Sequence, residues 1–342
     1  MNLDDLEARA EAVLEPKAFA YYAGGAGDEV TLRDNAAAWA RHRLRPRVLV
    51  DVSGIDTSST VLGEPVAMPV GVAPTALHGL CLPEAEVATA AAAAAVGMPF
   101  VLSSLSSRPL EDLSGAPGPR WFQLYAHRDR EVAADMVRRA AAAGFTAIVL
   151  TADLPVLGKR DREVRAGYEW GEAPVYGSFS SYAAADEAVG AGLHHFQVTW
   201  DDLAWIADLA DLPIVVKGVM TGEDAELACE HGAAAVWVSN HGARQLDRTS
   251  ATADVLEECV AAVAGRAEVY VDGGIRRGTD VLVALALGAD AVFLGRSWLY
   301  ALADGGEEGV VVAATVLHQE LVTAMALLGT PTTASVTRAH VR

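Results

Sequence analysis

Along this chain, short uninterrupted apolar runs alternate with longer stretches in which apolar residues recur at helical spacing. The runs fall at Met68 to Ala73, Met98 to Leu102, Trp121 to Tyr125, Ala147 to Thr151, Ile214 to Lys217, Ala235 to Ser239, Val269 to Asp272 and Ala291 to Gly295. Between them Glu84 to Val96, Glu131 to Ala143, Glu223 to Glu230, Thr252 to Val263 and Gly278 to Leu287 suit helices. A strand apolar at consecutive positions is covered on both faces, which is the condition of a parallel sheet wrapped by helices. Eight such strands predict an α/β fold closed into a (β/α)8 barrel rather than an open sheet. Residues 2 to 40 read as an N-terminal helical segment, broken at Gly24-Gly25-Ala26-Gly27. One interval breaks the rhythm. Gly158 to Thr199, about forty residues between the fourth and fifth strands, is long enough to predict a lid or binding loop. The whole of 1–342 is therefore expected to be one domain, with a barrel over about 66–330 and a lid over about 158–199.

Composition narrows the function classes. A hydrophobic fraction of 52% with 21% charged residues fits a well-buried globular enzyme and excludes disorder. A net charge of -19 argues against nucleic acid or an anionic membrane as partner, and any anionic substrate then needs local positive charge. Cys81, Cys229 and Cys259 match no metal-ligand spacing, so no metal is expected. The stretch Met1 to Glu15 is acidic and polar, unlike a signal peptide. The alanine run around Ala88 to Val96 is too short to span a bilayer. A soluble cytoplasmic protein is expected.

Polar residues follow the apolar runs where a barrel enzyme carries its chemistry, at the carboxyl ends of the strands. They are Pro74-Thr75, Ser103-Ser104, Gln123 with Tyr125, Thr151 with Asp153, Lys217, His241 with Arg244, Asp272-Gly273-Gly274, and Gly295-Arg296. The most informative stretch is Ser239-Asn240-His241-Gly242-Ala243-Arg244-Gln245, entered from the run Ala233 to Val238. An imidazole that accepts a proton, beside a guanidinium fork that binds an acid, suits abstraction next to a carboxylate. Asp272 to Gly278 and Gly295-Arg296 supply glycines and guanidiniums where barrels bind phosphate. No G-x-G-x-x-G follows a strand and no Walker lysine motif occurs, so a mononucleotide phosphate fits better than a dinucleotide. Lys217, ending an apolar strand, needs an anionic or electron-rich partner, and a flavin supplies one.

Together these residues resemble the FMN-dependent α-hydroxy acid oxidase and dehydrogenase family, which includes glycolate oxidase, lactate oxidase and mandelate dehydrogenase. The likeness runs through Tyr21-Tyr22-Ala23, Ala73-Pro74-Thr75-Ala76, Leu102-Ser103-Ser104, Phe122-Gln123-Leu124-Tyr125 and Leu150-Thr151-Ala152-Asp153. It continues through Leu157-Gly158-Lys159-Arg160, Val216-Lys217-Gly218, the histidine signature, Asp272 to Gly278 and Gly295-Arg296. The resemblance implies FMN as cofactor and oxidation of an (S)-2-hydroxy acid to the 2-oxo acid. It implies that His241 is the base, paired with Asp153. Arg160, Arg244 and the Tyr21 hydroxyl would bind the substrate carboxylate, and Tyr125 the substrate hydroxyl. Lys217 would face the pyrimidine edge of the flavin. Ser103, Gln123, Thr151 and the backbone of Ala73, Pro74, Thr75 and Ala76 would hold the ring system. Ser239, Asp272, Gly274, Arg276, Gly295 and Arg296 would serve the ribityl chain and phosphate. A homotetramer is also implied.

Two departures bear on the substrate. Plant glycolate oxidases carry a Trp after the Ser-Ser pair, where this chain has Leu105, and His127 stands where an aromatic is common. With Tyr168, Trp170, Tyr176, Phe179 and Tyr182 in the lid, these favour a medium-sized or mandelate-like acid over glycolate. O2 is the expected acceptor, giving H2O2. A quinone or carrier-linked dehydrogenase, a glycolate- or lactate-size oxidase, and an FMN-dependent non-redox isomerase stay open as alternatives.

Overall fold

A computed structural model of the chain describes residues 2–167, 176–182 and 198–342. The lid is thus described at both edges and at 176–182; Tyr168 and Trp170 lie outside the described residues. Eight parallel strands close a barrel: β1 (Val70–Val72), β2 (Phe100–Ser103), β3 (Arg120–Leu124), β4 (Ala147–Thr151), β5 (Ile214–Val219), β6 (Ala235–Val238), β7 (Glu268–Val271) and β8 (Ala291–Leu294). They pair in sequence order, and β8 closes onto β1 through Phe293 opposite Gly71. Nearly every strand residue is buried, as runs apolar on both faces require.

Three N-terminal helices precede the barrel: α1 (Asp5–Val13), α2 (Pro16–Ala23) and α3 (Val30–Trp39). Pro16 starts the second at a position where its missing N–H costs nothing. The outer layer comprises α4 (Glu86–Ala95), α5 (Arg130–Ala142), α7 (Asp202–Ala210), α8 (Gly222–Glu230), α9 (Thr252–Val263), α10 (Gly278–Ala286) and α11 (Arg296–Leu328), while the short α6 (Asp161–Arg165) packs on α2. Between β2 and β3 a single 3-10 turn, Leu110–Leu113, replaces a helix. The long α11 is the one helix among the described residues long and apolar enough to cross a membrane. It is broken at Gly305 and Gly306 and packs on α1, α4 and α10, so its apolar side serves the barrel wall.

The barrel interior is filled by side chains, not open. Trp121, Trp237, Tyr270 and Phe293 interlock, with Trp237 and Phe293 ring centroids 4.1 Å apart. A hairpin of Ser59–Val61 and Glu64–Val66 covers the amino-terminal mouth with Val61 and Val66. That plug forces ligands to the carboxyl-terminal face, where the N-terminal helices close over the strand ends.

Candidate active site

At that face lies a cavity of about 1020 Å³, its mouth included. Ala73, Pro74, Thr75 and Ala76 after β1, Asp272, Gly274 and Arg276 after β7, and Gly295 and Arg296 after β8 form one side of its wall. These three strands are neighbours in the barrel. Tyr21 from α2, Leu105, Tyr125, Arg160, His241 and Arg244 are among the residues that complete it, and Lys217 reaches in from β5.

His241 sits in an unusual piece of backbone. His241, Gly242 and Ala243 have φ of 59°, 61° and 62°, a left-handed turn that costs roughly 1–2 kcal/mol for each non-glycine residue. The turn is tied down at several points. Asn240 Oδ1 accepts from the Ala243 amide at 3.1 Å, and the Ala26 amide donates to the Ala243 carbonyl at 2.8 Å. Asn35 of α3 and Asn240 exchange two amide bonds of 2.8 and 2.9 Å, both residues being buried. Neither asparagine stands out in the sequence as a functional residue. The cue was there, however: an Asn directly before a His-Gly pair marks a turn that favours left-handed backbone.

The Asp153 carboxylate is 2.9 Å from His241 Nδ1. Side-chain exposures of 17% for His241 and 13% for Asp153 are low, so the pair interacts in a medium far less polarisable than water. Burial pushes the His241 pKa below its ordinary value, more than Asp153 raises it. Burial opposes ionisation of Asp153, yet the imidazole and Lys217 outweigh it and the carboxyl lies below its usual range. At neutral pH the pair is a neutral imidazole on a carboxylate. The Nδ1–H then donates to Asp153, leaving the Nε2 lone pair as the base. The Tyr125 hydroxyl is 3.5 Å from Nε2, a distance at which both groups can converge on one substrate atom. Burial, then the Asp153 charge, raises the Tyr125 pKa and keeps the phenol a donor.

Arg160, buried, and Arg244, partly buried, place two guanidiniums side by side in an arrangement that can clamp an acid. Arg160 Nε donates to the Arg244 carbonyl at 3.1 Å, and Arg244 Nη1 donates to the carbonyls of Tyr21 at 2.6 Å and Gly24 at 2.8 Å. The Tyr21 ring lies 4.9 Å from the Arg244 guanidinium carbon. Burial, then repulsion from Arg244, depresses Arg160 to about 10. The clamp also holds Glu163, buried beside both arginines, which the sequence reading passed over.

Lys217 rests on the aromatic cluster that fills the barrel, its ammonium 5.5 Å from the Trp237 ring centroid. It donates to Ser239 Oγ at 2.8 Å and pairs with Asp272 at 3.2 Å, while Ser239 donates to Asp272 at 2.8 Å and accepts from the His241 amide at 3.1 Å. Gly218, with φ 110°, is obligatory here: a Cβ would stand 2.6 Å from that of Asp153. Ser103, Gln123 and Thr151 lie outside the cavity wall, as a buried line of hydrogen bonds across β2, β3 and β4. Arg296 lines the cavity but gives three of its donors to the carbonyls of Tyr22, Gly24 and Gly242, so it braces the N-terminal segment as well. Of the lid aromatics among the described residues, Tyr176, Phe179 and Tyr182 are not in the wall. Tyr182 bonds Asp135 and Arg139, and Phe179 packs near His127, so they anchor the loop.

The donor set fits a phosphorylated flavin. Arg296 is depressed to about 10 by burial and by the nearby Arg244 and Arg276, a crowding of cations that an anionic group relieves. Gly273 and Gly274 follow with φ of 94° and 83°, and a Cβ on Gly274 would stand 2.3 Å from the Asn35 carbonyl oxygen, so glycine there lets the loop close against α3 while lining the cavity. Lys217 is a buried cation in the same wall, of the charge that the electron-rich edge of such a ring calls for.

Fold and site together define a barrel flavoprotein with a proton-accepting histidine and a clamp for a carboxylate. The sequence pattern of the FMN-dependent dehydrogenase family matches residues 10–342, and the chain belongs to that family, with FMN as its cofactor. It is 46% identical to L-lactate oxidase of Nostoc sp. over 344 residues, 96% of this chain and 94% of that protein. It is 45% identical to glycolate oxidase 1 of Oryza sativa subsp. indica over 353 residues, 99% of this chain and 95% of that protein. A solved structure of mandelate oxidase superposes with a TM-score of 0.93 at 40% identity, covering 100% of this chain and 97% of that one.

Proposed function

We propose that this protein oxidises an (S)-2-hydroxy monocarboxylic acid with a medium-sized, apolar side chain, mandelate-like acids included, to the 2-oxo acid. Reduced flavin is reoxidised by O2, giving H2O2. The observation that carries the reading is the His241–Asp153 pair opening onto the same cavity as Arg160 and Arg244. The arginines hold the carboxylate, which leaves the adjacent carbinol centre between Tyr125 and His241 Nε2. Tyr125 donates to the substrate oxygen, and His241 takes one of the two protons lost in oxidation while Asp153 stabilises the resulting imidazolium. FMN, when bound, would supply the sink for the two electrons and the other proton. Lys217 supplies positive charge as the cofactor becomes electron-rich.

The side-chain preference is supported by Leu105 and Leu154, both buried, and Leu157, which give that part of the wall an apolar character. Similarity to lactate, glycolate and mandelate oxidases supports an oxidase. The test is anaerobic flavin bleaching with both enantiomers of glycolate-, lactate- and mandelate-type acids, followed by reoxidation with air or a quinone dye. Bleaching by the S enantiomers with faster reoxidation in air is expected. No bleaching with any acid rejects the reading, and faster reoxidation by the dye rejects the oxygen acceptor.

A homotetramer and a cytoplasmic location belong to the same reading. Val48, Leu49, Val50 and Leu327 are exposed, Leu49 completely, and the Arg47 amide bonds the Leu328 carbonyl, so they form one apolar patch. Arg43, Arg45 and Arg47 beside it are exposed and suit a second copy of a chain of net charge -19. Leu49→Asp is expected to lower the mass measured by light scattering; an unchanged mass excludes this patch. Free thiols at all three cysteines suit a reducing compartment, which cell fractionation checks.

A further inference from the structure

Glu163 lies in neither the cavity wall nor the catalytic pair, yet it is 3% exposed in the heart of the acid clamp. One oxygen, Oε1, is 3.0 Å from Arg244 Nη2 and 3.5 Å from Arg160 Nη1, a single acceptor shared by two guanidiniums. Both arginines are already held by neutral groups: Arg160 by the Arg244 carbonyl, and Arg244 by the carbonyls of Tyr21 and Gly24. A buried carboxylate is costly to keep where neutral acceptors do the positioning. What Glu163 adds is charge.

The other anions beside the cavity face other groups, Asp272 pairing with Lys217 and Asp153 accepting from the His241 imidazole. The clamp therefore carries two positive charges and one negative. A substrate carboxylate brings it to neutrality. The 2-oxo acid product presents the same carboxylate to the same arginines, so anything that tightens the clamp on substrate tightens it on product as well.

We propose that Glu163 is a built-in counter-carboxylate that weakens the clamp for carboxylates and so sets the release of the 2-oxo acid product. The residue acts through Arg160 and Arg244, as a positioning and charge-setting group. This inference rests on the proposed hydroxy acid reading for the identity of the product, but its test does not need turnover.

Glu163→Gln keeps size and a hydrogen-bond acceptor and removes the charge. Dissociation constants of benzoylformate and pyruvate for the oxidised holoenzyme are read from the flavin absorbance change. The expected result is binding about tenfold tighter in the variant, a cautious share of what a unit charge at roughly 5 Å contributes at an effective dielectric of about 20. In turnover, product inhibition strengthens and kcat falls relative to kcat/KM. A purely structural role predicts the opposite sign, because a disordered clamp loses affinity. Binding equal to or weaker than wild type overturns the proposal. Glu163→Asp keeps the charge and is expected to bind both probes within about threefold of wild type; tightening there also overturns it, and this arm stands if the Gln variant does not fold. Should the wild type bleach with no 2-hydroxy acid while Glu163→Gln still tightens carboxylate binding, the functional reading falls and the clamp inference stands.

Discussion

Replacing Asp153 with Asn is the sharpest probe of the catalytic pair, because it keeps the shape of the site and removes one charge. The carboxylate is 2.9 Å from His241 Nδ1 with little solvent between them. When His241 takes a proton, the attraction it gains is about 4 kcal/mol for unit charges 4 Å apart at an effective dielectric of about 20. The amide keeps a polar contact and recovers part of this, so a loss of about 3–4 kcal/mol is expected, or about 10²–10³-fold in rate. A second effect has the same sign. The carboxamide can offer N–H to Nδ1, which favours the tautomer protonated at Nε2 and turns the base into a donor. The assay is the rate of anaerobic flavin reduction in stopped flow across pH. The imidazole must be neutral to act, so activity is lost as pH falls through its pKa, which burial already places below the ordinary histidine value. The carboxylate is what holds that pKa up, so its removal moves the acid limb to lower pH still. Reduction within about fivefold of wild type, or an acid limb moved to higher pH, refutes the role assigned to Asp153.

Three further perturbations test other parts of the site. Asn240→Ala removes both the Ala243 amide contact and the Asn35 pair, and with a left-handed turn costing roughly 1–2 kcal/mol per non-glycine residue it is expected to slow flavin reduction about tenfold or more with FMN retained; an unchanged rate shows that the turn holds itself. Gly274→Ala places a Cβ 2.3 Å from the Asn35 carbonyl oxygen at a φ of 83°, so weaker FMN retention and a lower Tm are expected, and full flavin occupancy at wild-type Tm contradicts the cradle. Leu105→Trp fills the apolar wall and is expected to lower kcat/KM for mandelate-type acids at least tenfold relative to lactate, measured as paired substrate profiles; an unchanged ratio moves the side-chain pocket elsewhere.

The barrel was legible because burial on both faces of a parallel strand leaves an unbroken apolar run, and each of the eight runs overlaps an observed strand. What escaped the pattern lacked that constraint. The hairpin at Ser59–Val66 has strands of three residues with mixed burial, and α7, although it buries Leu203 and Ile206, follows the long irregular interval that drew attention to a loop instead. The helical segment expected over 2–40, with its break at Gly24–Gly27, is three helices, because Pro16 also starts a new one. The gathering of His241, Arg244 and Lys217 on one cavity was legible for a related reason: each is a polar group in or soon after an apolar run, where packing alone gives no cause for it.

The supports of that chemistry were hidden because they act between segments far apart in sequence. Asn35 and Asn240 are separated by 205 positions and meet only when α3 closes over the barrel mouth. Gln245 binds the carbonyls of Asp153 and Val156, and Gly158 fits against the backbone of Arg244 and Gln245 so closely that a Cβ there would stand 2.5 Å from an oxygen. These contacts lock the loop carrying Asp153 and Arg160 to the loop carrying His241 and Arg244. The left-handed turn is therefore more than local strain. It gives the histidine a backbone conformation that most residues avoid, and the N-terminal helices, the loop after β4 and Arg296 hold it there together. Each of those elements also contributes a wall residue: Tyr21 from α2, Arg160 from the loop, and Arg296 itself. Assembling the wall and bracing the base are thus one folding event, and a chain that failed to dock its N-terminal helices would lose the acid clamp and the orientation of His241 at the same time.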